Sequence, residues 1–124
     1  MTGVILYHNP RCTKSRQALA VVEDAGATDD VDIVRYLDDP PTADELAAIV
    51  AKLEDDPAKL VRREKWDELG VNAADVATPE AVVATLAQHP QLIERPLIVT
   101  ADRAFIGRPT ERVERFFAAR SQSS

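Results

Sequence analysis

An apolar run of four residues, Val4 to Tyr7, is cut short by the turn-forming pair Asn9-Pro10, a helical pattern follows from about Ser15, and a second strand-like run returns at Asp32. Short, partly β-branched runs bounded by turn residues read as buried strands. Ala18, Leu19, Val22 and Ala25 recur at helical spacing before Gly26 supplies a stop. Asp32-Ile33-Val34-Arg35-Tyr36-Leu37 forms the second strand, ended by Asp38-Asp39-Pro40-Pro41. The chain therefore opens β-α-β, which commits it to the α/β class.

The remainder reads as a helical stretch followed by β-β-α. Thr42-Ala43-Asp44-Glu45 has capping-box spacing, and Leu46, Ile49, Val50 and Leu53 supply the apolar face of a helix from Thr42 to about Leu53. Leu60-Val61 and Trp66 through Leu69 predict short helical pieces, and Thr78-Pro79-Glu80 starts a helix carrying Val82, Val83 and Leu86. Leu92 to Thr100 and Arg103 to Ile106 predict an antiparallel hairpin around a tight turn at Ala101-Asp102. Arg108-Pro109-Thr110 then launches a last helix with Val113, Phe116 and Phe117 at core spacing. At 124 residues the chain suits one domain. Residues 1–120 are expected to form it, with the helical insertion at about 42–90 and a frayed tail at 121–124. This element order resembles a thioredoxin-like fold with an inserted helical subdomain and a mixed central sheet. In such folds a reactive cysteine begins the first helix, and a proline just before the third strand, often with a cis peptide bond, packs beside it. Pro96 is placed for that role.

Cys12, the only cysteine, lies in Tyr7-His8-Asn9-Pro10-Arg11-Cys12-Thr13-Lys14-Ser15-Arg16, where the first strand hands over to the first helix. Unpaired amides at a helix N-terminus, the helix dipole and the charges of Arg11, Lys14 and Arg16 all favour a thiolate over a thiol. Such surroundings commonly bring a cysteine from ~8.5 to ~7 or lower, which makes Cys12 a candidate nucleophile. One cysteine forms no internal disulfide, and with two histidines it lacks the paired-ligand spacing of a structural zinc site. No metal is expected.

The net charge of −6 argues against general affinity for nucleic acid. Any anion site must be local, and eleven of the fifteen basic residues are arginine, the side chain best shaped to hold an oxyanion. No apolar stretch approaches the ~20 residues of a membrane span. The N-terminus shows neither a basic leader nor a long apolar region, so a cytoplasmic location is expected; a monomer is expected as well.

The run His8-Asn9-Pro10-Arg11-Cys12-Thr13-Lys14-Ser15-Arg16 resembles the active-site motif of the glutaredoxin-coupled arsenate reductase family. The resemblance continues through Tyr36-Leu37, Pro40-Pro41-Thr42, Glu45-Leu46, Leu60-Val61-Arg62-Arg63, Glu94-Arg95-Pro96, Val99-Thr100 and Gly107-Arg108-Pro109, nearly the whole chain. By that resemblance Cys12 attacks the oxyanion, and Arg62, Arg95 and Arg108 gather around it, with Arg63 the alternative to Arg62 in another register. Guanidiniums are needed because thiolate and arsenate repel each other. His8 resembles the family's histidine that helps lower the cysteine pKa. Ser15 either reaches the thiolate or caps the helix, and Arg16 contributes field or helix surface.

With a single cysteine, the thiol that resolves a Cys12–arsenate adduct must come from outside. The resemblance implies glutathione or another low-molecular-weight thiol as co-substrate, glutaredoxin or an equivalent as reductant, and no bound cofactor. A phosphatase-like arsenate reductase would need an arginine six positions after the cysteine, where Ala18 stands; a two-cysteine thioredoxin would need a cysteine where Ser15 stands. Two alternatives stay open: a single-cysteine redox regulator binding RNA polymerase, and a thiol-dependent reductase of another substrate.

Overall fold

The computed structural model describes residues 3–123. Four strands, β1 (Val4–His8), β2 (Val31–Arg35), β3 (Leu97–Thr100) and β4 (Ala104–Ile106), form one mixed sheet in the order β2-β1-β3-β4. β1 and β2 run parallel, in register from Val4 opposite Val31 to His8 opposite Arg35, so the crossover helix α1 (Thr13–Asp24) joins them. β3 runs antiparallel to both β1 and β4. Between β2 and β3 lies the helical insert, α2 (Ala43–Ala51), α3 (Trp66–Leu69) and α4 (Pro79–Gln88) with short 3-10 turns, and α5 (Thr110–Ser123) closes the chain. This is the thioredoxin-like arrangement expected from the element order. The last helix continues through 121–123, where the sequence suggests fraying, and Ser124 lies outside the described residues.

The strands read as unbroken apolar runs because both sheet faces are covered. Val4, Leu6, Ile98 and Phe105 point to one face and pack with Ala18 and Val22 of α1 and Val113, Phe116 and Phe117 of α5. The alternate residues Tyr7, Leu97, Val99, Ala104 and Ile106 point to the other, against Leu46, Ile49, Val50, Val82 and Leu86 of the insert. The period-two alternation of a strand thus sorts neighbouring residues into two cores.

Two strands are shorter than their apolar runs. β2 stops at Arg35, whose carbonyl accepts from the amides of Asp38 and Asp39, so Tyr36 and Leu37 fall in a turn. β3 starts only at Leu97, since the backbone of 92–94 is spent on the insert: Arg62 N donates to Leu92 O at 2.7 Å and Glu94 N to Leu60 O at 2.8 Å, around an isolated bridge between Val61 and Ile93. That diversion fixes Arg62 beside the Glu94-Arg95-Pro96 segment. The expected capping box is present, with Glu45 N donating to Thr42 Oγ1 and Thr42 N to Glu45 Oε1.

Candidate active site

Cys12 sits at the C-terminal end of β1, on a turn closed by its own amide donating to Asn9 O at 3.0 Å. Asn9 Oδ1 accepts from Arg11 N, which stiffens the same turn. Cys12 is the N-cap of α1, with extended backbone angles (φ −97°, ψ 125°), and its carbonyl accepts from Arg16 N at 2.9 Å. The helix starts two residues before the apolar period at Ser15 predicts, because Thr13 and Lys14 are exposed and carry no periodic signal. No side chain closes a hydrogen bond onto the first-turn amides. Those of Lys14 and Ser15 therefore act on the sulfur.

Burial raises the Cys12 pKa, but the Ser15 amide, the Arg95 side chain and the Lys14 amide outweigh it, and the thiol is held below its ordinary value. The cation that helps hold the pKa down is Arg95, eighty-three positions away, rather than Arg11, Lys14 or Arg16 as the local sequence suggests. Arg16 instead donates from Nη1 to Pro10 O at 3.0 Å and from Nη2 to Thr13 Oγ1 at 3.2 Å, clamping the loop it follows.

Arg108 also reaches the sulfur, with Nη2 donating to Cys12 Sγ at 3.5 Å. Its Nε donates to Arg95 O at 2.7 Å and lies 3.3 Å from Glu94 Oε1, so the segment that carries Arg95 also aims Arg108. The Arg95–Pro96 peptide bond is cis, as expected for a proline at this place in the fold, and so is Arg108–Pro109. Arg62 is the third member: its side chain is 14% exposed and its Nη2 donates to Glu64 Oε1 at 2.6 Å. Arg63 turns outward, its guanidinium stacked 5.5 Å from the Trp66 ring centroid, while Trp66 Nε1 donates to Arg62 O. Of the two registers considered, the structure turns Arg62 inward. Arg62, Arg95 and Arg108 all act on Glu64, whose carboxyl is held below its ordinary range first by its bond to Arg62. Arg62, Arg63, Glu64, Glu94, Arg108 and Arg112 line an open cleft of about 710 Å³.

Arg62 Nη1, Arg95 Nε and Tyr36 Oη are buried without a hydrogen-bond partner in the protein. Buried donors are almost always paired. Glu94 Oε1 is a fourth buried atom without such a partner, and the two orphaned guanidinium donors, of which Arg95 acts on the Cys12 sulfur, suit an oxyanion with several acceptor oxygens.

His8 and Ser15 form a connected pair behind the cysteine loop. His8 Nδ1 lies 2.7 Å from Ser15 Oγ, which also accepts from Asn9 N at 3.0 Å. Burial first, then the charges of Arg35 and Arg16, lowers the His8 pKa against a smaller opposing effect of Ser15. The neutral imidazole is thus favoured over an imidazolium, which runs against the pKa-lowering role that the resemblance implies for His8; burial and the neighbouring arginines disfavour the charge that role needs. The Ser15 hydroxyl is engaged with His8 and the loop rather than with the first-turn amides. Sequence reasoning did not single out Tyr36, Glu64 or Glu94 as site residues. Tyr36 and Glu94 lie in segments that carry the family resemblance, Tyr36-Leu37 and Glu94-Arg95-Pro96, which marked them without giving them a role; Glu64 carried no signal at all.

The sequence pattern of the ArsC family matches residues 7–116. The arsenate reductase of Neisseria meningitidis serogroup A is 38% identical over 117 residues, covering 92% of this chain and 97% of that protein. The arsenate reductase of Escherichia coli strain K12 is 36% identical over 115 residues, covering 91% and 79%. Among solved structures, an arsenate reductase from Vibrio cholerae superposes with a TM-score of 0.76 at 34% identity, covering 91% of this chain and 97% of its own.

Proposed function

This chain belongs to the ArsC family, and from that membership we propose that it reduces arsenate to arsenite through a covalent adduct at Cys12. The observation that carries the reading is the contact of Arg108 Nη2 with Cys12 Sγ at 3.5 Å, on a sulfur already favoured as thiolate by Arg95 and the first-turn amides of α1. Arginines 62, 95 and 108 offset the repulsion between thiolate and oxyanion and hold the oxygens as charge shifts during attack. Neutral His8 and Ser15 hold the loop, with Arg16 across it.

The sulfur attacks arsenic, an As–OH bond breaks and its hydroxide takes a proton from solvent to leave as water, giving a thiol–arsenate adduct. A second thiol, glutathione or another low-molecular-weight thiol, attacks the Cys12 sulfur; the S–As bond breaks, its electron pair reduces arsenic(V) to arsenic(III), and a mixed disulfide remains. Glutaredoxin or an equivalent dithiol reduces that disulfide and restores Cys12. One chain supplies Cys12 and the three arginines, which is compatible with a monomer, and a lone free cysteine suits a reducing compartment such as the cytoplasm. Among the described residues no helix is long and apolar enough to cross a membrane.

Arsenite production from arsenate, with glutathione and glutaredoxin supplied, tests the reading. Cys12→Ser is expected to abolish turnover, and Arg108→Ala to lower kcat/KM by ~10²-fold or more. Full activity in Cys12→Ser, or no turnover with any small-thiol system, would overturn it.

A further inference from the structure

We propose that Glu64 is a built-in competitor for the oxyanion seat: its carboxylate occupies Arg62 in the free protein and must leave before a tetrahedral anion is bound there. The inference rests on the functional reading above only for the identity of the anion.

Glu64 Oε1 accepts from Arg62 Nη2 at 2.6 Å, the distance of a short charge-assisted hydrogen bond. The two partners differ sharply in exposure. The Arg62 side chain is 14% exposed, held from behind through its backbone by Leu92 and Trp66; the Glu64 side chain is 74% exposed. A carboxylate with most of its surface already in water gives up its one partner at little solvation cost, whereas the guanidinium stays where it is. Arg62 Nη1, on the same guanidinium, is buried and has no protein partner, so Glu64 engages only part of what Arg62 offers. An oxyanion with several oxygens takes both sides of the fork at once.

The consequence is a seat tuned to be weak in the ground state. Phosphate and arsenate share shape and charge, so three arginines alone would hold either. Displacement of Glu64 subtracts the same amount from the binding of every tetrahedral anion, while only arsenate goes on to be trapped by sulfur and reduced. Removing uniform binding raises KM without touching the chemical step. Glu64 thus lowers occupation of the site by phosphate and arsenate alike, and the seat fills only at higher anion concentration.

Titration calorimetry of inorganic phosphate into the full chain tests this directly. Glu64→Gln, which keeps the size of the side chain and loses its charge, is expected to bind phosphate roughly two- to fivefold more tightly than the wild type, the range of an exposed ion pair. In an Arg62→Ala background the same substitution is expected to lose most of that gain, as coupling between the two residues requires. In turnover assays the effect should lie in KM for arsenate and in parallel inhibition by phosphate. Phosphate affinity that is unchanged or weaker in Glu64→Gln, a gain that persists in full without Arg62, or no measurable phosphate binding to either protein would overturn the proposal. Tighter phosphate binding by Glu64→Gln, with no arsenate reduced by the wild type or by the variant, keeps the competitor and refutes the reaction. A variant that reduces arsenate with phosphate affinity and KM unaltered does the reverse.

Discussion

At Cys12 burial and hydrogen bonding pull in opposite directions. Burial disfavours the thiolate, while the Ser15 and Lys14 amides and the Arg95 guanidinium favour it and win. Because folding lowers this pKa, the stability the thiolate contributes is present in full above the ordinary thiol value and is lost as pH falls through the folded one. Arg95→Ala should therefore move the midpoint of the pH profile for iodoacetamide alkylation upward and slow alkylation at neutral pH; an unmoved midpoint would show that the amides suffice. Ser15 has a different role. Its hydroxyl satisfies both His8 Nδ1 and Asn9 N inside a buried turn, so Ser15→Ala is expected to cost ~1–3 kcal/mol in denaturant unfolding, the penalty for buried polar groups left unpaired. The sequence places Ser15 on the opening turn of the helix, but the choice between thiolate contact and capping depended on where His8 points.

Among the elements, the junction of β4 and α5 is the most tightly constrained. Gly107 donates its amide to Pro96 O at 2.8 Å, and a Cβ built on it would lie 2.8 Å from Pro96 Cγ and Val113 Cγ2 and 2.9 Å from Ile98 Cδ1. None of those side chains is the loose end of a long flexible chain. Gly107→Ala is expected to cost ~1–3 kcal/mol by overpacking, seen as a lower thermal midpoint, and to disturb the neighbouring Arg108. The helices were legible in sequence where caps and periodicity agree, as at Thr42 and at Thr78, whose side chain accepts from Ala81 N. Strand ends were less so. Tyr36 and Ile93 are as apolar as any strand residue, yet Tyr36 lies in a turn and Ile93 pairs with the insert instead of the sheet.

Across the whole molecule, the insert matters because it delivers Arg62. Asp55 pins it to the rest of the fold, accepting from Ile106 N at 2.9 Å and from Arg112 Nη1 at 2.8 Å, and Lys52 Nζ adds a 2.5 Å bond to Thr100 O. Asp55→Ala leaves a strand amide and a half-buried guanidinium without their partner. It should cost ~1.5–3 kcal/mol in thermal or denaturant unfolding, and raise KM for the oxyanion more than it lowers kcat, since Arg62 is displaced while Cys12, Arg95 and Arg108 stay on the sheet. The sequence by itself determined the β-α-β and β-β-α halves and the placement of Cys12 at a helix entrance, because hydrophobic period, turn residues and caps act over a few neighbouring positions; Arg62, Arg95 and Arg108 were named only through the family resemblance. Only the tertiary structure decided that Arg95 and not Arg11 governs the sulfur, that Arg62 turns in while Arg63 stacks on Trp66, and that Tyr36, Glu94 and Glu64 join the site. Those outcomes depend on strand order and on the pairing of residues 60–62 with 92–94, contacts between distant segments that no local pattern encodes.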